Sequence, residues 1–490
     1  MRARIAVLLV AAVAISAVPR AAVAAPLAAL PAFVRVNVAE LGVDYAKIGS
    51  TASLTATLGD GTVVYRGYGS TITRLGVRRL ADPSRTVAAL PDPDERRNRI
   101  SQLREARLIA RLEEVAIVTI PFEFSVEESG GDPFAPPLVS ARQMIPLRFE
   151  ANDGLLTFDG RAYRGTLELA RDDEGDMIVV NEVDTASYLA SVVGSEEPPS
   201  WMPEALAAQA IAARTYLVTH LRRHTAYDLE GDTRDQEYDG LDGEAASTVR
   251  AVVRTAGLVA TYRGAPIEAL YSANAGGFTE NSENVYANAL PYLRAVPSPY
   301  DDVAQDSSWG HKSWQWQTEF TAPQLRGYLG VRGIDVGDPL DIEPTRLSGT
   351  GRVIGARIIG SRGARDIGKD AARYYFGLRS TLFTVSARPE EVELVGALEA
   401  DRIRELEYLG ATLERLLYPT VRDPERSWTL QASGAIYRLP ARFLFAGRGY
   451  GHGVGMSQWG AQGMALAGAS ATEILTHYYQ GIAITTIGGP

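Results

Sequence analysis

The sequence predicts an α+β fold, a mixed β-rich core with helices packed around a groove and with helical insertions. Three observations predict it. Apolar and polar residues alternate through most of Phe33 to Tyr188, helical spacing takes over from 184 to 260, and two charged amphipathic stretches interrupt the chain.

The first residues, MRARIAVLLVAAVAISAVPRAAVA, place Arg2 and Arg4 before a short apolar run and end in small residues. That is the pattern of a cleaved secretory leader, too short for a committed span, so 1–24 is read as a signal peptide and the chain as extracytoplasmic, in the periplasm or cell wall. No later stretch approaches roughly 20 uninterrupted apolar residues, so no stable membrane span is expected after cleavage. The chain has no cysteine, which excludes disulfides, thiolate metal sites and thiol nucleophiles. Its formal charge is -10, and losing Arg2, Arg4 and Arg20 makes it -13. So acidic a chain has no electrostatic footprint for nucleic acid.

Strands are expected in FVRVNVAEL, SLTATLGDGTVVYRGYG, VAIVTIPFEFSVEE, LLTFDGRAYRGTLELA and MIVVNEV, with turns at Asp60-Gly61 and Asp159-Gly160. The charged helix DPDERRNRISQLREARLIARLEE reads as a surface insertion, and SGGDPFAPP as a loop. VIGARIIG and TLFTVSARP read as strands, and residues 390–419 as a second helical insertion. The expected organisation is a β-rich region over 25–150, a core over 151–388 and 437–490, and an insertion over 389–436.

VVGSEEPPSWMPEALAAQAIAARTY, residues 192–216, sets two glutamates against two prolines ahead of an alanine-rich helix. Proline pushes the residue before it out of the α region, so Ser195–Pro199 is expected to be extended. Successive side chains of extended backbone diverge, so Glu196 and Glu197 cannot both face one substrate. Ser200 is placed to cap the helix, with Pro203 in its first turn and Glu204 complementing its positive end. Desolvation and a like-charged neighbour would raise a carboxyl pKa here, as a general acid requires. A loop of solvated acids is the alternative.

The order of motifs bears on that choice. The segment VNEVDTASYLASVVGSEEPPSWMPEALAAQAIAARTY resembles the central motif of the stage II sporulation protein D / amidase-enhancer family. TRDQEYDG, IEALYSANAGGFTENSENVY, GLRSTLF and GRGYGHGVGMSQWGAQGMALAGASATEILTHYYQG agree with that family in order. The resemblance covers most of 150–490 outside the insertions and implies a glycan-binding groove. It further implies a lytic transglycosylase that cleaves peptidoglycan glycan strands and leaves a 1,6-anhydro end, with Glu196 as the single acid and then base. The family's other branch implies a non-catalytic protein that holds glycan and stimulates a cell-wall amidase as its partner. No cofactor is implied.

Other assignments are weaker. Gln209 and Arg214 lie about 140° apart around one helix, so at most one faces the groove, and Arg214 serves either substrate or a structural ion pair. Tyr216 is assigned to the core. Tyr271, Gly276 and Gly277 are placed at the groove, the glycines either lining it or simply making a turn. Some relatives bind zinc in this stretch, but Ser272 and Ala275 stand where ligands would be, so no metal is expected. Glycine recurs at 447, 449, 451, 453 and 455, which on extended backbone leaves one face bare for a neighbouring strand or a glycan. His452, Ser457 and Gln458 are assigned to the groove, and His477 to a structural role behind a Ser470–Glu473 capping box. The aromatic run SSWGHKSWQWQTEF fits packing better than sugar stacking.

Overall fold

The computed structural model of the chain describes residues 29–39, 45–67, 73–79, 122–128, 139–143, 146–152, 154–173, 177–393 and 436–487. The leader, the charged helix 92–114, the loop 129–137 and most of the insertion 390–419 lie outside the described residues. Mixed helices and several sheets make the fold α+β.

A seven-stranded sheet forms the base. Its strands are β1 (Phe33–Asn37), β2 (Ser53–Leu58), β3 (Val63–Gly67), β4 (Leu147–Asn152), β5 (Thr166–Arg171), β6 (Met177–Asp184) and β7 (Leu229–Glu230), in the order β7-β1-β6-β5-β4-β2-β3. Every pair is antiparallel except β1 with β7. The strands on either side of residue 150 therefore share one sheet, and residue 150 itself falls inside β4. Alternation does its expected work in β2, where Leu54, Ala56 and Leu58 are buried. In β6 the run Met177–Val180 is buried throughout, because Val179 faces the main core while Ile178 and Val180 pack with Tyr227 behind the sheet. Asp159 (φ 49°) and Gly160 (φ 80°) form the two-residue turn between Leu156–Phe158 and Arg161–Tyr163.

Helix α1 (Thr185–Glu196) follows β6 directly, and Asp184 caps it by accepting a hydrogen bond from the Ser187 N–H. Helix α2 (Pro203–His220) has almost no amphipathic face because it is buried on nearly every side. Leu206, Ala210, Ala213 and Leu217 join the core of the large sheet, while Ala205, Ala208, Ile211 and Ala212 join a second core. Its alanines let neighbours approach closely: α1, α3 (Ala246–Arg254), α6 (Gln458–Leu466) and α7 (Ala471–Tyr478) all contact it. Truncating a residue such as Ile211 here would cost roughly 2–5 kcal/mol.

A third core holds Trp316, Phe376, Phe383, Phe443 and Phe445. It lies between the sheet of Gln315–Thr321, Ile436–Arg448 and Phe383–Glu393, the sheet of Pro339–Gly368, and helices α4 (Ala322–Val331) and α5 (Ala371–Phe376). Two contacts fasten this part to the site: Trp316 Nε1 donates to the Gly449 carbonyl (2.9 Å), and buried Arg352 donates to the Ala275 carbonyl (2.6 Å). The chain remains in a strand through Glu393, so residues 390–393 begin as strand and not as the expected helix.

The glycine run leaves the strand after Arg448 and is not extended from Gly449 onward. Gly449, Gly451, Gly453 and Gly455 all take positive φ, between 75° and 100°. A Cβ on Gly453 would lie 2.3 Å from the Arg352 guanidinium, and one on Gly455 2.0 Å from the Leu270 carbonyl. Only glycine combines that backbone with such close approach. The run is packed against protein, not bared for a ligand.

Candidate active site

Glu196 is the last residue of α1, not part of an extended stretch, because Pro198 constrains only Glu197. Glu197 takes the extended conformation (φ -133°, ψ 141°) and turns its side chain inward, where 1% remains exposed. The two carboxylates diverge as expected, but across a helix end. Neither oxygen of Glu197 has a hydrogen-bond partner, and burial plus the neighbouring Glu196 push its pKa well above the usual carboxylate range. Ser200 does not cap α2: Met202 holds the cap position, and its N–H donates to Gln462 Oε1 (2.9 Å). Pro203 does open the helix, and Glu204 supports the start of α7 by accepting from the Ala471 N–H (2.8 Å).

Three donors converge on the Glu196 carboxyl. Oε1 accepts from the Glu237 backbone N–H (3.0 Å) and the Tyr271 hydroxyl (3.2 Å), and Oε2 accepts from Gln458 Nε2 (3.1 Å). Behind them Gln236, fully buried, donates to the Tyr271 hydroxyl (2.8 Å) and accepts from the Tyr188 hydroxyl (3.1 Å). Burial is the largest influence on Glu196, and the negative Glu237 adds to it; the three donated bonds oppose both. Together they place its pKa at about 7. Glu196, Tyr271 and His452 are each half-buried and keep part of their surface accessible. A carboxyl so held exchanges its proton near neutrality and remains reachable.

His452 lies edge-on to Tyr286, with ring centroids 5.6 Å apart, and its Nδ1 accepts from the Val454 N–H (3.0 Å). Burial, Arg373 and Arg352 lower its pKa to about 3, so the imidazole is neutral at physiological pH. Trp459, next to Gln458, stands between Trp201 (4.8 Å) and Trp309 (5.0 Å), and Trp309 is 56% exposed. The aromatic run is thus divided, with Trp316 in the core and Trp309 at the surface.

Several expected groove residues belong to packing instead. Arg214 is buried and donates to the Val252 and Leu258 carbonyls (both 3.1 Å) and to Thr255 Oγ1 (3.3 Å), satisfying the end of α3. Among the described residues it has no carboxylate partner, so the expected ion pair is replaced by bonds to neutral acceptors. Gln209 is fully buried within α2. Ser457 is also fully buried: it caps α6 and donates to Asp301 Oδ1 (2.5 Å). Gly276 is buried against Arg448 and Gly449, and only Gly277 opens to free space. Tyr216 is core, its hydroxyl bound to Asp235 (2.7 Å), and His477 bonds the Pro297 carbonyl (2.8 Å). Sequence reasoning missed Gln236 and the Glu237 N–H, although the motif TRDQEYDG contains both residues. Among the described residues no group of three His, Asp or Glu side chains converges as metal ligands, and no helix is long and apolar enough to cross a membrane.

The family model for SpoIID, stage II sporulation protein, matches residues 173–262, from just before β6 to the strand Leu258–Tyr262 that follows α3, and so includes Glu196, Gln236 and Glu237. An uncharacterized protein of Brachyspira hyodysenteriae is 28% identical over 69% of this chain and 75% of its own length. The amidase enhancer of Bacillus subtilis is 29% identical over 68% of this chain, and stage II sporulation protein D of Bacillus amyloliquefaciens is 29% identical over 62% of it. The chain is a relative of the SpoIID and amidase-enhancer proteins. It spans 75% of the SpoIID protein of Bacillus amyloliquefaciens but only 45% of the amidase enhancer. Tyr271, His452 and Gln458 lie beyond the SpoIID match and reach Glu196 or its surroundings only through the tertiary fold.

Proposed function

We propose that the protein acts outside the cytoplasm on peptidoglycan, as a lytic transglycosylase with Glu196 as its single acid and base. The observation that carries this reading is the Glu196 carboxyl, reachable and poised at about pH 7 by burial against three donors. The protonated carboxyl gives its proton to the glycosidic oxygen as the C1–O bond breaks. The resulting carboxylate then takes the proton of the same sugar's 6-hydroxyl while that oxygen bonds to C1. The products are a 1,6-anhydro sugar and a free 4-hydroxyl, and no water is consumed. Ordinary glycosidases need a second carboxylate for water or for a covalent intermediate. Glu197, sealed in the interior, is not available for that task. The exposed face of Trp309 beside Trp459 gives a sugar ring a surface to lie on.

The name of the Bacillus subtilis relative favours a second reading, a glycan-binding enhancer of a cell-wall amidase. One experiment separates them. Peptide-free glycan strands are incubated with wild type and with Glu196→Gln, and products are read by mass spectrometry. Anhydro products from wild type alone support the enzyme. Their absence from wild type, with amidase stimulation retained by both proteins, supports the enhancer.

A further inference from the structure

We infer that the protein carries an oxyanion-binding pocket at the far end of the wall that begins at Glu196, fitted to a negatively charged substituent of the same polymer. A cavity of about 530 Å³ is lined by Arg332, Arg373 and Arg379 together with Tyr374, Tyr450 and Thr318. Three guanidinium groups on one cavity stand out in a chain of net charge -10. Arg373 is paired with Asp370 (2.7 Å). The other two have no carboxylate partner among the described residues; aromatic rings hold them instead. The Arg332 guanidinium lies 3.7 Å from the Tyr328 ring centre and 5.6 Å from that of Tyr374, and the Arg379 guanidinium lies 5.2 Å from that of Tyr450.

Stacking on a ring fixes a guanidinium plane without using its N–H donors, which point outward within that plane. Arg332 uses one donor on the Tyr328 carbonyl (3.3 Å), and its Nε is buried without a partner, so its remaining terminal N–H groups are the ones that face the cavity's ligand. Together with the Arg379 guanidinium they match the paired oxygens of a carboxylate or phosphate. The half-buried setting strengthens such a bond over one at an open surface.

The pocket continues the wall of the site. Tyr271 bonds Glu196, the His452 ring bonds the Tyr271 backbone, and His452 meets Tyr286. Arg373 is close enough to act electrostatically on both Tyr286 and His452. Tyr450 precedes His452 by two residues, and the Gly451 N–H donates to the Arg379 carbonyl (2.7 Å). A polymer lying along this wall would bring its side substituents over the arginines. Assigning the anion to the cell wall rests on the function proposed above; the pocket's affinity for an oxyanion does not.

Three sources supply such an anion: carboxylates of the stem peptides, phosphates of phosphodiester polymers attached to the wall, and the lactyl carboxylates that an amidase exposes on the glycan itself. Binding is measured by co-sedimentation with intact walls, walls freed of phosphate by hydrofluoric acid, walls freed of peptides by an amidase, and chitin, a β-1,4 glycan with no lactyl group, peptide or phosphate. Wild type should bind intact walls about tenfold more tightly than chitin, the worth of one charge-assisted hydrogen bond. Loss of the preference on phosphate removal identifies a phosphate, loss on peptide removal a peptide carboxylate, and a preference over chitin kept by both treated walls the lactyl carboxylate; each supports the pocket. The double variant Arg332→Gln/Arg379→Gln should abolish the preference. Thr318→Glu should as well, since it adds a carboxylate at a half-exposed strand position without removing packing. Equal binding of wild type to all four preparations, binding to none, or a preference kept by folded Thr318→Glu would overturn the inference. Glu196→Gln should keep the preference, so loss of the catalytic reading and loss of this one are told apart.

Discussion

Replacing Glu196 with glutamine should make the protein progressively more stable relative to wild type as pH rises from about 4.5 through 7. The folded site raises this carboxyl from an ordinary 4.5 to about 7, chiefly by burial. A group whose folded value is raised contributes stability that is full below its unfolded value and is lost as pH rises through the folded one. Each tenfold change in proton affinity is worth about 1.4 kcal/mol, so the whole interval corresponds to about 3 kcal/mol. Glu196 keeps some accessible surface, so solvent screening brings the expectation to about 1–3 kcal/mol. Glutamine does not titrate, and any mismatch it creates with the Glu237 N–H or Gln458 is a constant offset. Denaturant unfolding of wild type and Glu196→Gln at pH 4.5, 6, 7 and 9 measures the difference. It should already be moving in favour of the variant at pH 4.5, swing most steeply from there to pH 7 and level off by pH 9. A difference independent of pH, or one that favours wild type as pH rises, would refute the burial argument and the acid role built on it.

Tyr271→Phe removes a hydrogen bond that stabilises the ionised carboxyl, so the Glu196 pKa should rise further; the basic limb of the pH–rate profile should move upward while kcat/KM falls by about tenfold or more. Glu237→Gln keeps the backbone N–H but removes a like charge, and the same limb should move to lower pH, as pH–rate measurements would report. Arg214→Met should cost about 3 kcal/mol by leaving buried carbonyls unpaired, with the melting temperature lowered and activity per folded molecule unchanged. Weakened glycan binding at an unchanged melting temperature would return Arg214 to the groove.

Local signals in the sequence are readable where local physics decides. Asp159-Gly160 makes its tight turn, Pro203 opens α2, and the Ser470–Glu473 box caps α7, because each depends on neighbours a few residues away. The bend at Glu196 is misplaced through one step: extended backbone is expected from Ser195 onward, whereas Pro198 constrains only Glu197 and the helix runs through Glu196. The glycine run is recognisable as a site of close approach, but its left-handed backbone is imposed by Arg352, Ser272 and Leu270, which are far away in sequence. Arg214 and Gln209 share a helix with no solvent face, and composition alone does not reveal which of its sides a second core will cover. Gln236 and Glu237 act through a buried amide and a backbone N–H, which no residue-type pattern marks as a partner for a carboxyl.

The donors to Glu196 come from positions 41, 75 and 262 residues farther along the chain. In a chain that has not completed its fold, that carboxyl is an ordinary acid, ionised at neutral pH. The proton that the proposed reaction needs is therefore supplied by burial in the assembled fold, and an unfolded copy does not carry it at neutral pH.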